Sequence, residues 1–364
     1  MILIDADTHL REGIYLDEVY NLKGEFAKYA PRKVKGGAYH EVEFENEPKP
    51  WGEEVEKYGR HRQLYGPDRQ GGRIAAIQPG GWDREQRIRD LSKAGVEKQV
   101  MFCTGSAVPT LTEGPLGLAF AESLNTWVAG FVKGYEDKLY PTAVMPAGYP
   151  EGMAGELRRS VKDLGIRAAH ISGFSLTRNA DDPVFDDFYS TAEELDVPLF
   201  VHPASRGPIA NRHKNFYIMH CLARPTTAAD SLVSFVLGGV FERHPKLKVG
   251  FFECSASWML YWMERMEFGY DNLKPDYAPY LKLRPSEYVR RNCYLTVESN
   301  EHCLPEAIKE IGADHLMASS DYPHWDSGWP GCIKELAERG DIQAAAKERL
   351  LSRNIADLLK IDVH

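Results

Sequence analysis

Short apolar runs recur along the chain, and between them hydrophobic positions fall three and four residues apart. The runs read as buried strands: ILI at 2–4, QVMF at 99–102, LYPTAVM at 139–145, IRAAHI at 166–171, PLFVH at 198–202, LKVGFFE at 247–253, CYLTV at 293–297 and LMASS at 316–320. In EGMAGELRRSVKDLG, Met153, Leu157, Val161 and Leu164 share one helical face, and the stretch ends on a glycine of the kind that caps helices. Residues 186–195 and the segment opening SWMLYWMERMEFGYD at Ser257 behave the same way. Buried strands alternating with amphipathic helices imply a parallel sheet. Eight of them predict an α/β fold, a closed (β/α)8 TIM barrel forming one domain over 1–364.

Two connections are too long for simple crossovers. The interval from about 13 to 97 is rich in Gly, Pro, Tyr and charge, including GPDRQGGR at 66–73, and is expected to form a lid inserted after strand 1. The interval 203–246, after strand 5, holds one helix and the irregular NRHKNFYIMH. Loops this long usually serve as lids or binding walls. Trp51, Tyr58, Tyr65, Trp82, Phe216 and Tyr217 there, with Trp325 after strand 8, are available to line an apolar pocket.

Composition narrows the class. With 43% apolar and 27% charged residues the chain is globular, and a net charge of −9 argues against nucleic-acid binding, which wants concentrated Lys and Arg. No run reaches the length of a membrane span, and the first strand begins at Ile2 without a basic leader, so a cytoplasmic protein with no membrane partner is expected. The six cysteines at 103, 221, 254, 293, 303 and 332 show no CxxC spacing and read as reduced thiols. Cys254 is a minor candidate nucleophile.

The chemistry gathers at predicted strand ends. Asp7 and His9 follow strand 1, His202 ends strand 5, Glu253 ends strand 6 and Asp321 lies one residue past strand 8. In a closed barrel all these ends surround one mouth, so residues remote in sequence converge there. His170 ends strand 4 and points to the same mouth, while His324, His220 and His213 are candidates for substrate contact. His244, at a helix end before strand 6, belongs to the opposite face and reads as structural.

With these residues placed, IDADTH, PLFVHP, FERHPKLKVGFFE with WMLYWMERM, and ASSDYPHWD make the chain resemble the amidohydrolase superfamily. The branch is the amidohydrolase-related (amidohydrolase 2) one, which contains aminocarboxymuconate-semialdehyde and γ-resorcylate decarboxylases. The resemblance implies one divalent metal ion held by Asp7, His9, His202 and Asp321, with zinc the first choice and manganese the second. It also implies a homodimer, which no residue pattern establishes. The chain departs from the branch at strand 1, which reads Asp-x-His, and at strand 6, where Glu253 replaces a histidine. A carboxylate beside a dication stays ionised, which makes it a base or acceptor and a poor proton donor.

That departure tips the expectation toward a metal-dependent hydrolase opening an amide, lactone or related carbonyl bond of a small cyclic or aromatic molecule. Asp321 would move the proton of metal-activated water, and Glu253 would orient water or substrate. His170, Arg206 and His324 are the expected substrate contacts. The alternative is non-oxidative decarboxylation of an aromatic or unsaturated acid, with Arg206, Arg212 or Arg11 meeting the carboxylate, or a cyclisation using the same metal. A barrel without catalysis is disfavoured because all four ligands are present.

Overall fold

The apolar runs become eight parallel strands arranged in a ring. The structure, a computed structural model, describes residues 1–12, 16–30, 32–33, 42–43, 79–173, 178–203, 213, 215–324 and 326–363. The strands are β1 (Ile4–Leu10), β2 (Lys98–Cys103), β3 (Leu139–Pro141, resuming at Ala143–Val144), β4 (Ala169–Ile171), β5 (Leu199–Val201), β6 (Val249–Phe251), β7 (Cys293–Val297) and β8 (Leu316–Ala318). Each pairs in parallel with the next around the ring, β3 through its first half to β2 and through its second half to β4. Closure comes from a parallel bridge between Thr8 and Tyr322, supported by the Asp321 N–H donating to the Asp7 carbonyl at 3.0 Å.

Helices fill the crossovers: α1 (Arg84–Ala94), α2 (Pro115–Phe131), α3 (Pro150–Lys162), α4 (Asp186–Leu195), α5 (Phe216–Leu237), α6 (Ser257–Tyr277), α7 (Pro285–Asn292), α8 (Leu304–Glu310) and, after β8, α9 (Asn354–Leu359). Their boundaries follow local chemistry. Asp83 caps α1 by accepting from the Gln86 N–H at 2.9 Å, and Gly95 ends it in the left-handed region at φ 69°. The helix predicted from Glu151 and that at 186–195 are observed as α3 and α4. Helix α1 occupies 84–94 of the interval expected to form the lid; most of the remainder, with Trp51, Tyr58 and Tyr65, lies outside the described residues.

Ile4, Ala6, Val100, Phe102, Ala168, Phe200, Phe252 and Met317 pack in one cluster that fills the barrel. A second, larger cluster joins the outer strand faces to the helices, with Val144, Leu199, Val201, Val249 and Leu295 against Leu124, Leu157 and Phe235. Each fully buried Phe contributes roughly 1.5–3 kcal/mol. Gly250 is required by this packing, because a Cβ there would lie 2.7 Å from the Phe252 ring and 2.9 Å from the Phe200 ring.

The six cysteines are free thiols as expected, with Cys103 and Cys293 buried in strands. No helix among the described residues is long and apolar enough to cross a membrane.

Candidate metal and catalytic centre

Strand β1 runs to Leu10, so Asp5, Asp7 and His9 lie within it and do not follow it as the apolar pattern suggested. Burial by the ring and parallel pairing with β2 override the low strand preference of aspartate. Asp5 accepts from the Ser320 N–H at 3.0 Å and from the Ser320 hydroxyl at 2.5 Å, clipping β1 to β8. Ile4 and Ala6 face the interior, as do Asp7 and His9 one residue out of phase, and the β1–β2 register shifts between Asp5 and Thr8. That bulge turns the ligand-type side chains inward. Beneath it, fully buried Arg87 from α1 donates to the Gly80 carbonyl at 2.8 Å, Thr8 Oγ1 at 3.2 Å, Gln99 Oε1 at 2.9 Å and the His9 carbonyl. Nothing in the spacing of α1 separates this arginine from its solvated neighbours, and sequence reasoning missed it.

The predicted convergence is present. His9 Nε2 lies 3.1 Å from His202 Nε2, His202 Nε2 lies 3.3 Å from Asp7 Oδ1, and His9 Nε2 lies 3.7 Å from that same oxygen. A triangle with these sides has a circumradius of about 2.0 Å, close to the roughly 2.0–2.2 Å of transition-metal bonds to imidazole and carboxylate. Asp321 Oδ1 joins at 3.2 Å from His9 Nε2. Among the described residues neither oxygen of buried Asp7 has a hydrogen-bond partner. Buried polar groups left this way are costly unless a ligand or ion satisfies them. The donor set, two imidazoles and the Asp7 carboxylate with Asp321 beside His9, fits a divalent cation.

The electrostatics agree. Burial, and then the neighbouring Asp321, push the Asp7 carboxyl well above its ordinary range, a repulsion that a dication offsets. Burial holds the imidazoles of His9 and His202 below theirs, in the neutral form that ligation needs. At Asp321 burial opposes the charge, but His324 and His9 outweigh it and hold the carboxyl well below normal. His324 Nδ1 sits 2.7 Å from Asp321 Oδ1, and its ring stacks on His9 at 4.0 Å between centroids. Asp321 raises the basicity of His324 despite burial.

Glu253, two residues past β6, ion-pairs with Arg224 Nη1 at 2.6 Å, and its other oxygen lies 3.5 Å from His202 Nδ1. Arg224 and His220 project from the first turns of α5, which starts at the cap Asn215; His220 Nε2 lies 2.7 Å from Arg224 Nη1 and 2.8 Å from Asp326 Oδ2. The arginine that meets Glu253 is therefore Arg224, which sequence reasoning missed although the i, i+4 spacing from His220 marks one helix face. Arg206 and Arg212 lie outside the described residues, as does Trp325.

His170 is fully buried, both its ring nitrogens without a partner among the described residues, its ring 5.0 Å from Phe102 and 5.7 Å from His202. Glu298, directly after β7, was also missed; burial and then Asp321 raise its carboxyl to about 7. Arg11 is buried, and its backbone N–H donates to the Gly81 carbonyl at 2.7 Å. Burial pushes the Cys254 thiol well up, which removes it as a ready nucleophile. His244 lies away from the cluster between Asp186 at 3.2 Å and Glu193 at 3.5 Å, as a structural residue should.

A parallel-stranded barrel with a divalent-metal site at its mouth defines a metal-dependent enzyme. Its family follows from comparison: the amidohydrolase family model matches residues 116–361, and the chain belongs to that family. The chain is 26% identical to 2-amino-3-carboxymuconate-6-semialdehyde decarboxylase of Dictyostelium discoideum, over 79% of each protein. It is 28% identical to γ-resorcylate decarboxylase of Polaromonas sp. over 66% of this chain and 77% of that one. Among solved structures, 5-carboxyvanillate decarboxylase from Sphingomonas paucimobilis superposes with a TM-score of 0.77 at 20% identity, covering 99% of both chains. Dihydroxybenzoic acid decarboxylase from Polaromonas sp., solved with manganese and 2-nitroresorcinol, superposes with a TM-score of 0.67 at 22% identity, covering 99% of this chain and 97% of that one.

These relatives overturn the expectation of amide or lactone hydrolysis, because they are decarboxylases. The site supplies the physical reason. Glu253, whose ionised carboxylate tipped the expectation toward activating water, faces Arg224 and His202. The relatives likewise lend no support to zinc as first choice, manganese being the ion named with the solved decarboxylase.

Proposed function

We propose that the protein is a non-oxidative, manganese-dependent decarboxylase of a small aromatic or unsaturated carboxylic acid. The observation that carries the reading is the triad of Asp7, His9 and His202, with donor spacings suited to one ion and Asp321 3.2 Å from His9 Nε2, in a chain whose relatives are decarboxylases. A divalent ion bound by these four residues would supply Lewis acidity and a counter-charge for the substrate's anionic oxygens.

The remaining work falls to side chains. Asp321 and His324 form a proton-holding pair: the proton resides on His324, passes across the 2.7 Å contact, and is delivered by Asp321 to the carbon bearing the carboxylate. As the new C–H bond forms, the carbon–carboxylate bond breaks, its electron pair returns to the unsaturated system, and carbon dioxide leaves. Phe102, Phe200 and Phe252 close the floor against water. His170, with two unpartnered nitrogens, is assigned a polar group of the substrate, Arg206 its carboxylate, and the interval from about 13 to 97 the lid.

The test is to incubate manganese-loaded protein with a panel of hydroxybenzoates and unsaturated acids in D2O. Carbon dioxide, an equimolar decarboxylated product and a single deuterium at the vacated carbon are expected. Cleavage of lactones or amides with no carbon dioxide from any acid would overturn the proposal.

A further inference from the structure

We propose that Glu253 and Arg224 are positioning residues that fix the tautomer of His202 and so make it a metal ligand. The inference concerns metal capture and does not depend on which reaction the metal serves.

A neutral imidazole carries one N–H, and the nitrogen that bears it cannot hold a cation. His202 Nε2 is the atom turned to the cluster, 3.1 Å from His9 Nε2 and 3.3 Å from Asp7 Oδ1. For it to offer a lone pair, the hydrogen must sit on Nδ1. The group facing Nδ1 is the Glu253 carboxyl, whose Oε2 lies 3.5 Å away, at the outer edge of hydrogen-bonding distance and placed to accept from Nδ1–H. Among the described residues His9 has no such partner, its own Nδ1 being buried and unpaired.

Glu253 is held in that orientation from both ends. Its backbone, left-handed at φ 56°, is anchored by the N–H donating to Thr296 Oγ1 on β7 at 3.1 Å. Its Oε1 is fixed by Arg224 at 2.6 Å, leaving Oε2 for His202. Arg224 is in turn steadied by His220 at 2.7 Å and by Asp326 at 3.9 Å. A contact chain thus runs from the segment after β8, through α5, to the ligand after β5. The ion pair of Oε1 with Arg224 leaves Oε2 as the acceptor that faces Nδ1.

Glu253→Gln is the sharp perturbation, because an amide can donate to Nδ1 and place the hydrogen on Nε2. Manganese titration of the metal-free protein by water-proton relaxation is expected to show a roughly 10- to 100-fold weaker affinity in Glu253→Gln and Arg224→Met, with Arg224→Lys recovering part of it. Circular dichroism confirms that the variants are folded. The tautomer is read independently, on unaltered metal-free protein, by two-bond ¹⁵N–¹H correlation spectra of His202, which should show Nδ1 protonated. A folded Glu253→Gln protein binding manganese within twofold of the wild type would overturn the proposal, and so would Nε2-protonated His202 in the wild type. If the pair merely tethered α5 to β6, thermal stability would fall while affinity and tautomer stayed unchanged. Absence of decarboxylation by a wild-type protein that binds manganese would instead count against the proposed reaction alone.

Discussion

Glu12 offers a clean test of how the mouth is built. Its buried carboxylate accepts from the Thr104 N–H at 3.1 Å and from the Gly105 N–H, tying the end of β1 to the loop after β2. Burial nevertheless dominates and raises its carboxyl from the ordinary 4.5 to about 7. A carboxyl raised on folding contributes stability that is fully present below its unfolded value and is lost as pH rises through its folded value. Between pH of about 5.5 and about 8 those two values predict a loss of about 2 kcal/mol. Glu12→Gln keeps the shape and one acceptor but cannot ionise, so it removes this slope. The amide group it turns toward one N–H adds a pH-independent cost of roughly 1–3 kcal/mol. Urea unfolding of both proteins at the two pH values, with metal held constant, gives the double difference. Stability curves that differ by a constant offset at both pH values would refute the reasoning.

Other expectations follow from the same geometry. His202→Ala and Asp321→Asn should abolish carbon dioxide release while far-UV circular dichroism stays unchanged, and normal turnover by His202→Ala would break the site assignment. Arg87→Met strands four buried acceptors and should cost about 3–5 kcal/mol, read as a lower urea midpoint at unchanged m. His244→Ala should lower the melting temperature while leaving kcat in place. Chelation should lower the melting temperature too, since an ion at a hundred times its Kd stabilises the folded state by about 2.7 kcal/mol.

The barrel was legible because its signals are local: strands buried on both faces give continuous apolar runs, and α3 and α4 carry period and caps within their own residues. Asp7, His9, His202 and Asp321 could be gathered in advance because a closed barrel collects strand ends at one rim. Arg224, Arg87 and Glu12 could not. Each acts at the end of a long side chain or a loop, and its partners lie 29, 79 and 92 residues away or thereabouts, as with Glu253, Thr8 and Thr104. Apolar patterning carries no information about such pairs.

Backbone conformation explains the remaining discrepancy, the strand ends themselves. Among the described residues, Asp196, Glu253, Ser255, Asp321 and Lys360 are non-glycine residues with positive φ. Asp196 and Lys360 sit at the C-caps of α4 and α9, where the left-handed region is ordinary. The other three are at the mouth. The apolar runs suggested strands continuing to 253 and 320, whereas β6 stops at Phe251 and β8 at Ala318, and the chain then curls through φ 56° at Glu253 and φ 60° at Asp321. Such residues cost of order 1–3 kcal/mol each and persist only where neighbours hold them. Here Thr296 Oγ1 holds the Glu253 N–H, and the Asp7 carbonyl holds that of Asp321. The usual sign of a left-handed turn is Gly or Asn, and neither marks these positions. Glycine would ease the backbone at both but remove the carboxylate that the curl aims into the cluster, so stability and site chemistry oppose each other there.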